Sequence, residues 1–503
     1  MSASAPAGTR PSGRAPAIPV PASGRLLRLE LRHNVMLWLL PVVGVLFWYN
    51  GYREVMALPP MWNLRAMTLQ NRLLLDLVIP AVGAAAWMGS REGRRDMTDL
   101  LGVTARPRWS RQLAAWAATT AWAEVGCLAC IAVVYVMTAR QASWGGPLWW
   151  PAAVSVAGVP PLTAIGFAAG ALFPSRFITP LITVAVFFGF AFSTQATSGD
   201  HSNWQISPLI SGAFNVGAAP GVATFYRYLP DLSIAQVMFT VGLTAAVLGG
   251  LGLPAANGPR LRWLAAVVTA AGLGAAGTAV TLAGTGRLDP HGMIVIPALH
   301  DAASGQPVSY TPRCSGTAIP VCVHPAYSVV LPAVTAAVGS ELTELAGLPG
   351  APARISQVPV AYQQSPGNTI RIIAALPSPS AFVVPDPVPG QPGATSAEFA
   401  GQLAQSLGLQ LIIDVVLDGS GRGADLNPSQ AELAVIGGSV QFPSSVEGRD
   451  LPPPFSRLRD APGSPVGLAA RRFAALTPAA RHDWLEHHLT ALRAGQISLA
   501  ELP

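Results

Sequence analysis

The sequence predicts a polytopic α-helical membrane domain of six to seven transmembrane helices, followed by an α+β extracytoplasmic domain. Three observations lead there. Only 11% of the 503 residues are charged and 51% are apolar, against about 25% charge in an ordinary soluble chain. Apolar runs of a length to cross about 30 Å of hydrocarbon recur through the first part of the chain. The charge is divided: residues 1–286 hold 19 Arg and 9 acids, whereas the remainder holds 12 Arg and 16 acids. The first part therefore carries +10 and the remainder −4, and the basic excess of the first part acts as an orientation signal. No basic face with interleaved aromatics occurs, so nucleic acid is not an expected partner.

Residues 1–24 are Ala, Pro, Ser and Gly with two Arg, the composition of a disordered cytoplasmic tail. No apolar core follows at the distance a signal peptide requires. "GRLLRLELRH" (24–33) alternates Leu with Arg and Glu. It forms either an interfacial helix, with leucines among the headgroups and arginines on lipid phosphate, or a helical extension of the first span. The spans are expected near 34–50, 71–90, 112–137, 151–174, 177–195, 233–254 and 262–284. The pair 151–174 and 177–195, joined by "PSR", is alternatively a re-entrant hairpin, which leaves the parity unchanged. With the N-terminus in the cytoplasm, 14 of the 19 Arg fall on the cytoplasmic side, a positive-inside bias. Arg53, Arg65, Arg72, Arg140 and Arg227 fall outside. The expected units are a tail at 1–24, a membrane domain at 25–285 and an extracytoplasmic domain at 286–503.

Two carboxylates interrupt the spans. Asp76 ("RLLLDLVIP") and Glu124 ("TAWAEVGCLAC") lie where a charge costs several kcal/mol unless paired or hydrated. Each either lines a translocation path or subunit seam, or is quietly satisfied: Asp76 by snorkelling or by pairing with Arg72 one turn away, Glu124 by bonding a neighbouring helix. Cys127 and Cys130 suit small packing positions better than a metal site. Pro160-Pro161 is expected to break the fourth span and free carbonyls there.

Between the second and third spans runs "REGRRDMTDLLGVTARPRWSRQ" (91–112), with six arginines and three acids. Glu92 to Leu101 can form a helix with Met97, Leu100 and Leu101 on one side, ended before Pro107. It is either a solvated loop kept inside by its arginines or a helix that docks on another protein. The stretch resembles the loop between the second and third spans of ABC-2-type transporter permeases, in Glu92, the pair Arg94-Arg95, Asp99-Leu100-Leu101, and the step from Pro107 to Ser110-Arg111. The segment 24–33 matches that family's N-terminal interfacial helix, and the likeness extends over about residues 24–260. It implies a coupling helix, made by Glu92, Arg94, Arg95, Asp96, Asp99, Leu100 and Leu101, seated in a separate ABC ATPase subunit. It also implies a second permease copy or a homologous permease, lipid contacts, and a bacterial plasma membrane. A seventh span and the long C-terminal region depart from the family pattern.

The chain has no G-x-x-x-x-G-K-[ST] loop and no Lys with which to build one. ATP and Mg therefore belong on a partner, and this chain carries no cofactor. No catalytic constellation occurs, so it is not expected to be an enzyme.

In the C-terminal region 292–299, 353–362, 368–376, 381–385 and 409–417 are expected as strands, and 325–347, 395–408 and 428–438 as helices. The Pro-rich 385–393 and 451–455 and the Gly-rich 418–425 suit loops. Cys314 and Cys322 should pair in an oxidising compartment, and the alternative is a metal site with His324. Thr477, Pro478 and Gly495 mark a C-terminal helix. Its His482 and Glu486 suit a polar helix face better than zinc. These features together point to the permease subunit of an ABC-type exporter, powered by a separate ATPase. The alternative is a non-transporting membrane anchor that displays a binding or sensing domain.

Overall fold

A computed structural model describes residues 21–94, 107–196, 222–256, 258–289, 291, 293–301, 306–359, 361–364, 370–373, 381–383, 397–417, 428–440 and 464–503. Six of its helices are long and apolar enough to cross a membrane: α2 (Val35–Ala57), α3 (Trp62–Gly89), α4 (Arg108–Gln141), α5 (Trp149–Leu172), α7 (Asp231–Ala255) and α8 (Pro259–Gly284). The seventh apolar run is also helical, as α6 (Ile178–Ala196), although its apolar stretch at Ile178–Gly189 is shorter. The expected spans are all helices, and the protein is a multi-pass membrane protein.

The helix α1 (Pro21–Arg32) precedes the bundle and begins inside the stretch expected to be tail. It is not an extension of α2. Asn34 is extended (φ −79°, ψ 137°) and caps α2 by accepting from the Met36 N–H. A break there satisfies a helix N-terminus locally and lets α1 leave the axis of the first span. Trp122 donates to the Leu31 carbonyl at 2.9 Å and Asn34 donates to Thr119 at 2.9 Å. The start of α2 therefore lies level with residues 119–122 of α4, and the first three turns of α4 project past it.

Small residues bring the helices together. A Cβ at Gly242 would lie 2.6 Å from the Ala276 nitrogen, and one at Gly272 would lie 2.6 Å from the Gly242 carbonyl. Gly166 and Gly170 on α5 abut the Val82 and Ala86 backbone on α3 in the same way. Backbone-to-backbone approach of this kind replaces the hydrophobic drive that lipid removes. A hydrogen-bonded layer adds to it: Thr120 and Trp116 of α4 both reach Thr163 of α5, at 2.8 and 3.2 Å.

Two expectations about the spans are corrected. The second span begins at Trp62, nine residues before the expected 71, because its polar first turns find partners at the end of the bundle. Pro160-Pro161 does not break the fourth span: α5 runs through both prolines, and the Thr163 hydroxyl donates to the Val159 and Pro160 carbonyls at 3.0 Å. Helix-breaking residues are tolerated in a span that is packed among neighbouring helices, as α5 is.

The C-terminal unit combines short strands with helices. A four-stranded sheet has the order β3 (Arg313–Cys314), β4 (Val321–Val323), β5 (Ile355–Val358), β8 (Ala381–Val383); β3 is antiparallel to β4 and the other pairs are parallel. The pairs β1 (Arg287–Leu288) with β2 (Ile294–Val295), and β6 (Ala361–Gln364) with β7 (Ile370–Ile373), form two further ladders. Around the sheet pack α9 (Leu331–Ala337), α10 (Gly339–Leu345), α11 (Ala397–Val416), α12 (Gln430–Ser439), α13 (Pro465–Ala474) and α14 (Pro478–Arg493). Among the described residues of 292–299, strand is confined to Ile294–Val295, and 325–347 is a 3₁₀ turn followed by two short helices, not one helix.

The expected strand 409–417 is instead the end of α11. Leu407, Leu411, Ile412, Val415 and Val416 are all buried, at the spacing of one helix face. An apolar run this short is compatible with either period, and the helix that leads into it decides. The loops expected at 385–393, 418–425 and 451–455 lie outside the described residues.

Cys314 and Cys322 are disulfide-bonded and are facing partners in the β3–β4 ladder, with Cα atoms 4.0 Å apart. The bond closes a loop of eight residues' separation. Replacing both cysteines by Ser should cost at most about 2–3 kcal/mol. Urea denaturation of the purified chain, with and without reductant, reads it. Reductant should shift the wild type and leave the double variant unmoved.

Candidate functional site

The expected coupling loop is anchored at both ends. A helical turn at Arg91–Arg94 continues α3 past Ser90. Glu92 lies between Arg108 at 3.8 Å and Arg111 at 3.5 Å, at the start of α4. Arg91 pairs with Glu30 of α1 at 2.7 Å. Arg94 lies over the Trp87 ring, 3.6 Å from its centroid, and donates to the Trp87 carbonyl. Single exposed pairs contribute little, but a partly buried network joining three elements holds its geometry. Arg95, Asp96, Asp99, Leu100 and Leu101 lie outside the described residues.

The intramembrane carboxylates are placed differently from each other. Glu124 is about one turn, ~6 Å, from the level at which α2 begins. Asp76 lies halfway along α3, beside Cys130 of α4. Both helices at that depth carry a segment of wider, π-helical turn: Phe47–Tyr52 in α2 and Leu74–Val78 in α3, in contact with each other. Such segments recur at functional sites because they displace side chains and carbonyls from the regular ladder. Gly51 is where the two meet; a Cβ there would lie 2.8 Å from Asp76 Oδ2 and 2.7 Å from the Phe47 ring.

The expected Asp76–Arg72 pairing is not the one that forms. Arg72 is bound to Glu54 of α2, a partner the sequence did not flag because the two are eighteen residues apart across a turn. Asp76 is left with an Asn50 side-chain hydrogen bond, and its Oδ2, buried, has no partner. Glu124 Oε2 is likewise buried without a partner. Cys127 and Cys130 are free thiols in the helix packing, as expected.

At the other end the bundle and the C-terminal unit share one core: Leu58, Met61 and Leu64 are buried with Phe225, Val321, Val323 and Tyr327. Arg65, counted as an outside-loop charge, is 3% exposed and donates to the Leu58 carbonyl and to Gln141. Asn63 donates to Thr224 at 2.8 Å, and Ser143 to the Pro325 carbonyl at 2.8 Å. A cleft of about 180 Å³ opens here, lined by Trp62, Trp144, Thr224, Tyr226 and Arg227 among others.

His324 sits at this junction, fully buried, with the Trp144 ring at 4.3 Å, Tyr310 at 4.2 Å and Phe225 at 5.0 Å. Its Nδ1 accepts from the Ala326 N–H at 3.1 Å, so the proton is on Nε2, which faces no hydrogen-bond partner. The disulfide occupies both sulfurs of the alternative metal site. Burial among the rings pushes His324 down from 6.5 to about 4. Above its ordinary value both folded and unfolded chains are neutral there. As the pH falls the unfolded chain takes the proton first, so stability declines until the folded value is passed. The expected loss is about 3 kcal/mol. His324→Asn, which keeps an acceptor for Ala326, should flatten that slope in denaturant titrations at successive pH values.

In α14, His482, Asp483 and Glu486 bring their ligand atoms within 4.8 Å of one another. The two acids are exposed, and His482 Nδ1 is spent on the Glu344 carbonyl at 2.8 Å. Thr477 caps this helix through the Ala480 N–H, and Gly495 follows it with φ 68°, as the sequence indicated. Set against family models, curated proteins and solved structures, the chain matches none.

Proposed function

We propose that this chain is the membrane-spanning permease subunit of an ABC-type exporter, driven by a separate ATPase subunit and holding its C-terminal unit outside a bacterial plasma membrane. The observation that carries the proposal is the anchored base of the 95–106 loop. Glu92 binds the start of α4, while Arg91 binds α1. A partner that engages the loop therefore pulls on α1, α3 and α4 together. An unanchored surface loop would absorb the same displacement without passing it on. The arginine bias places this loop in the cytoplasm, where an ATPase resides. ATP and Mg bind on that partner, and a second permease copy or a homologue completes the assembly.

A second proposal has its own support. The C-terminal unit shares a buried core with the ends of α2 and α3, which suits a membrane anchor that displays a binding or sensing domain rigidly. Copurification separates the two. Mild-detergent extraction of the tagged chain from its native membrane should retain a nucleotide-binding ATPase, identified by mass spectrometry. Recovery of the intact chain without one rejects the exporter and leaves the anchor.

A further inference from the structure

Asp76 lies halfway along α3, 7% exposed, with Oδ2 unpartnered. An ionised carboxylate there needs a cation. Arg72 is one turn away, but it is bound to Glu54. With Asp76 protonated the trio Asp76, Arg72 and Glu54 is neutral; with Asp76 ionised it carries one uncompensated negative charge inside the hydrocarbon, at a cost of several kcal/mol. The other elements packed against this segment do not supply the missing charge. The facing part of α2 brings Tyr49, Asn50, Tyr52 and Arg53, and Arg53 is directed over the Tyr49 ring. From α4 come Cys127, Cys130 and Glu124, which add no positive charge, and α5 contains no titratable residue.

We propose that Asp76 is an intramembrane proton-binding site, exchanging its proton toward the end of the bundle that carries the C-terminal unit, past the Glu54–Arg72 pair. The geometry favours a proton over a metal cation. A Cβ on Gly51 would lie 2.8 Å from Oδ2 and 2.7 Å from the Phe47 ring, so on that side the carboxyl has backbone and a ring beside it and not the oxygen ligands a hard cation demands. Glu54 and Arg72, the charged neighbours of Asp76, are partly exposed, at 18% and 29%, and are the polar groups on the outward side of the buried carboxyl. The paired π-helical segments explain how two spans approach closely enough to enclose it. The inference does not rest on the exporter proposal, since an anchor or a transporter can hold such a group.

The test uses the purified full-length chain in lipid nanodiscs and dicyclohexylcarbodiimide, an apolar reagent that captures protonated carboxyl groups. The acid adds across the carbodiimide, and the O-acylisourea rearranges to a stable N-acylurea with nothing lost. Peptide mass spectrometry should place the adduct on Asp76, several-fold more at about pH 6 than at about pH 9. Asp76→Asn, which keeps the Asn50 contact with a neutral group, should lose the adduct and a protonated-carboxyl band in the infrared spectrum. Site mapping and pH dependence on the wild type decide the matter even if that variant does not accumulate. No adduct at Asp76 overturns the proposal. So does equal labelling at both pH values, which would make Asp76 a permanently neutral packing group. Protection by sodium at constant pH and ionic strength would also overturn it, in favour of a metal-cation site.

Discussion

Arg481→Met should lower the stability of the C-terminal unit by about 3–5 kcal/mol. Arg481 is 1% exposed and Glu344 is fully buried, and the two are bound at 2.7 Å between α14 and α10. Ser439 of α12 donates to the same carboxylate at 2.5 Å, and Arg481 also donates to the Leu476 carbonyl at 2.8 Å. Burial pushes Glu344 up from its ordinary range, while Ser439 and Arg481 oppose that push. Removing the guanidinium strands the carboxylate in a dry core or obliges it to take up a proton. The loss should therefore shrink as the pH is lowered, because the protonated acid is the tolerable form. A double replacement, Glu344→Leu with Arg481→Met, should recover most of the stability, since apolar groups of similar volume need no desolvated charge. Pulse proteolysis in urea on the full-length chain measures all three proteins. A single variant as stable as wild type would show that the pair contributes nothing to holding α14 on α10.

Changing Leu100 and Leu101 to Ser should weaken capture of the proposed ATPase partner by two or more decades if each Leu is buried on docking. A buried Leu is worth about 1.5–3 kcal/mol, and each ~1.4 kcal/mol is tenfold in affinity. Folding and insertion should be unaffected if the proposed docking role is the one these leucines have. Reversing Asp96 and Asp99 to Arg should weaken docking further and leave the topology alone, since added positive charge keeps a loop inside. Quantitative pull-down reads binding, with ATP turnover of the copurified subunit as a second signal. Undiminished capture by the Leu100/Leu101 variant would remove this loop from the docking surface, whether or not a transporter is present.

Much of the architecture was legible locally. Each expected span is a helix because nearly continuous apolar runs bounded by polar or Pro-containing turns admit few other structures in lipid. Thr477, Pro478 and Gly495 delimit α14 through hydrogen bonds and dihedrals that involve only near neighbours. Cys314 and Cys322 are close in sequence and face each other across a two-stranded ladder. In every one of these cases the deciding interaction spans a few residues, so composition and spacing suffice.

Where partners came from distant segments, the tertiary structure decided. Arg72 looked like the counter-ion of Asp76 because it is one turn away, yet the fold gave it to Glu54 and left Asp76 unmatched. Residues 62–70 fall outside the expected span, which begins at 71, but Thr224, Gln141 and the Leu58 carbonyl satisfy Asn63 and Arg65 and the helix starts at Trp62. The run 409–417 looked like a strand, but its buried face is set by the helix entering it and by the core around Leu411 and Val415. The physical reason is common to all three. The preference of a buried polar or apolar group depends on which groups desolvate it and bond to it, and only the folded chain brings those groups to it.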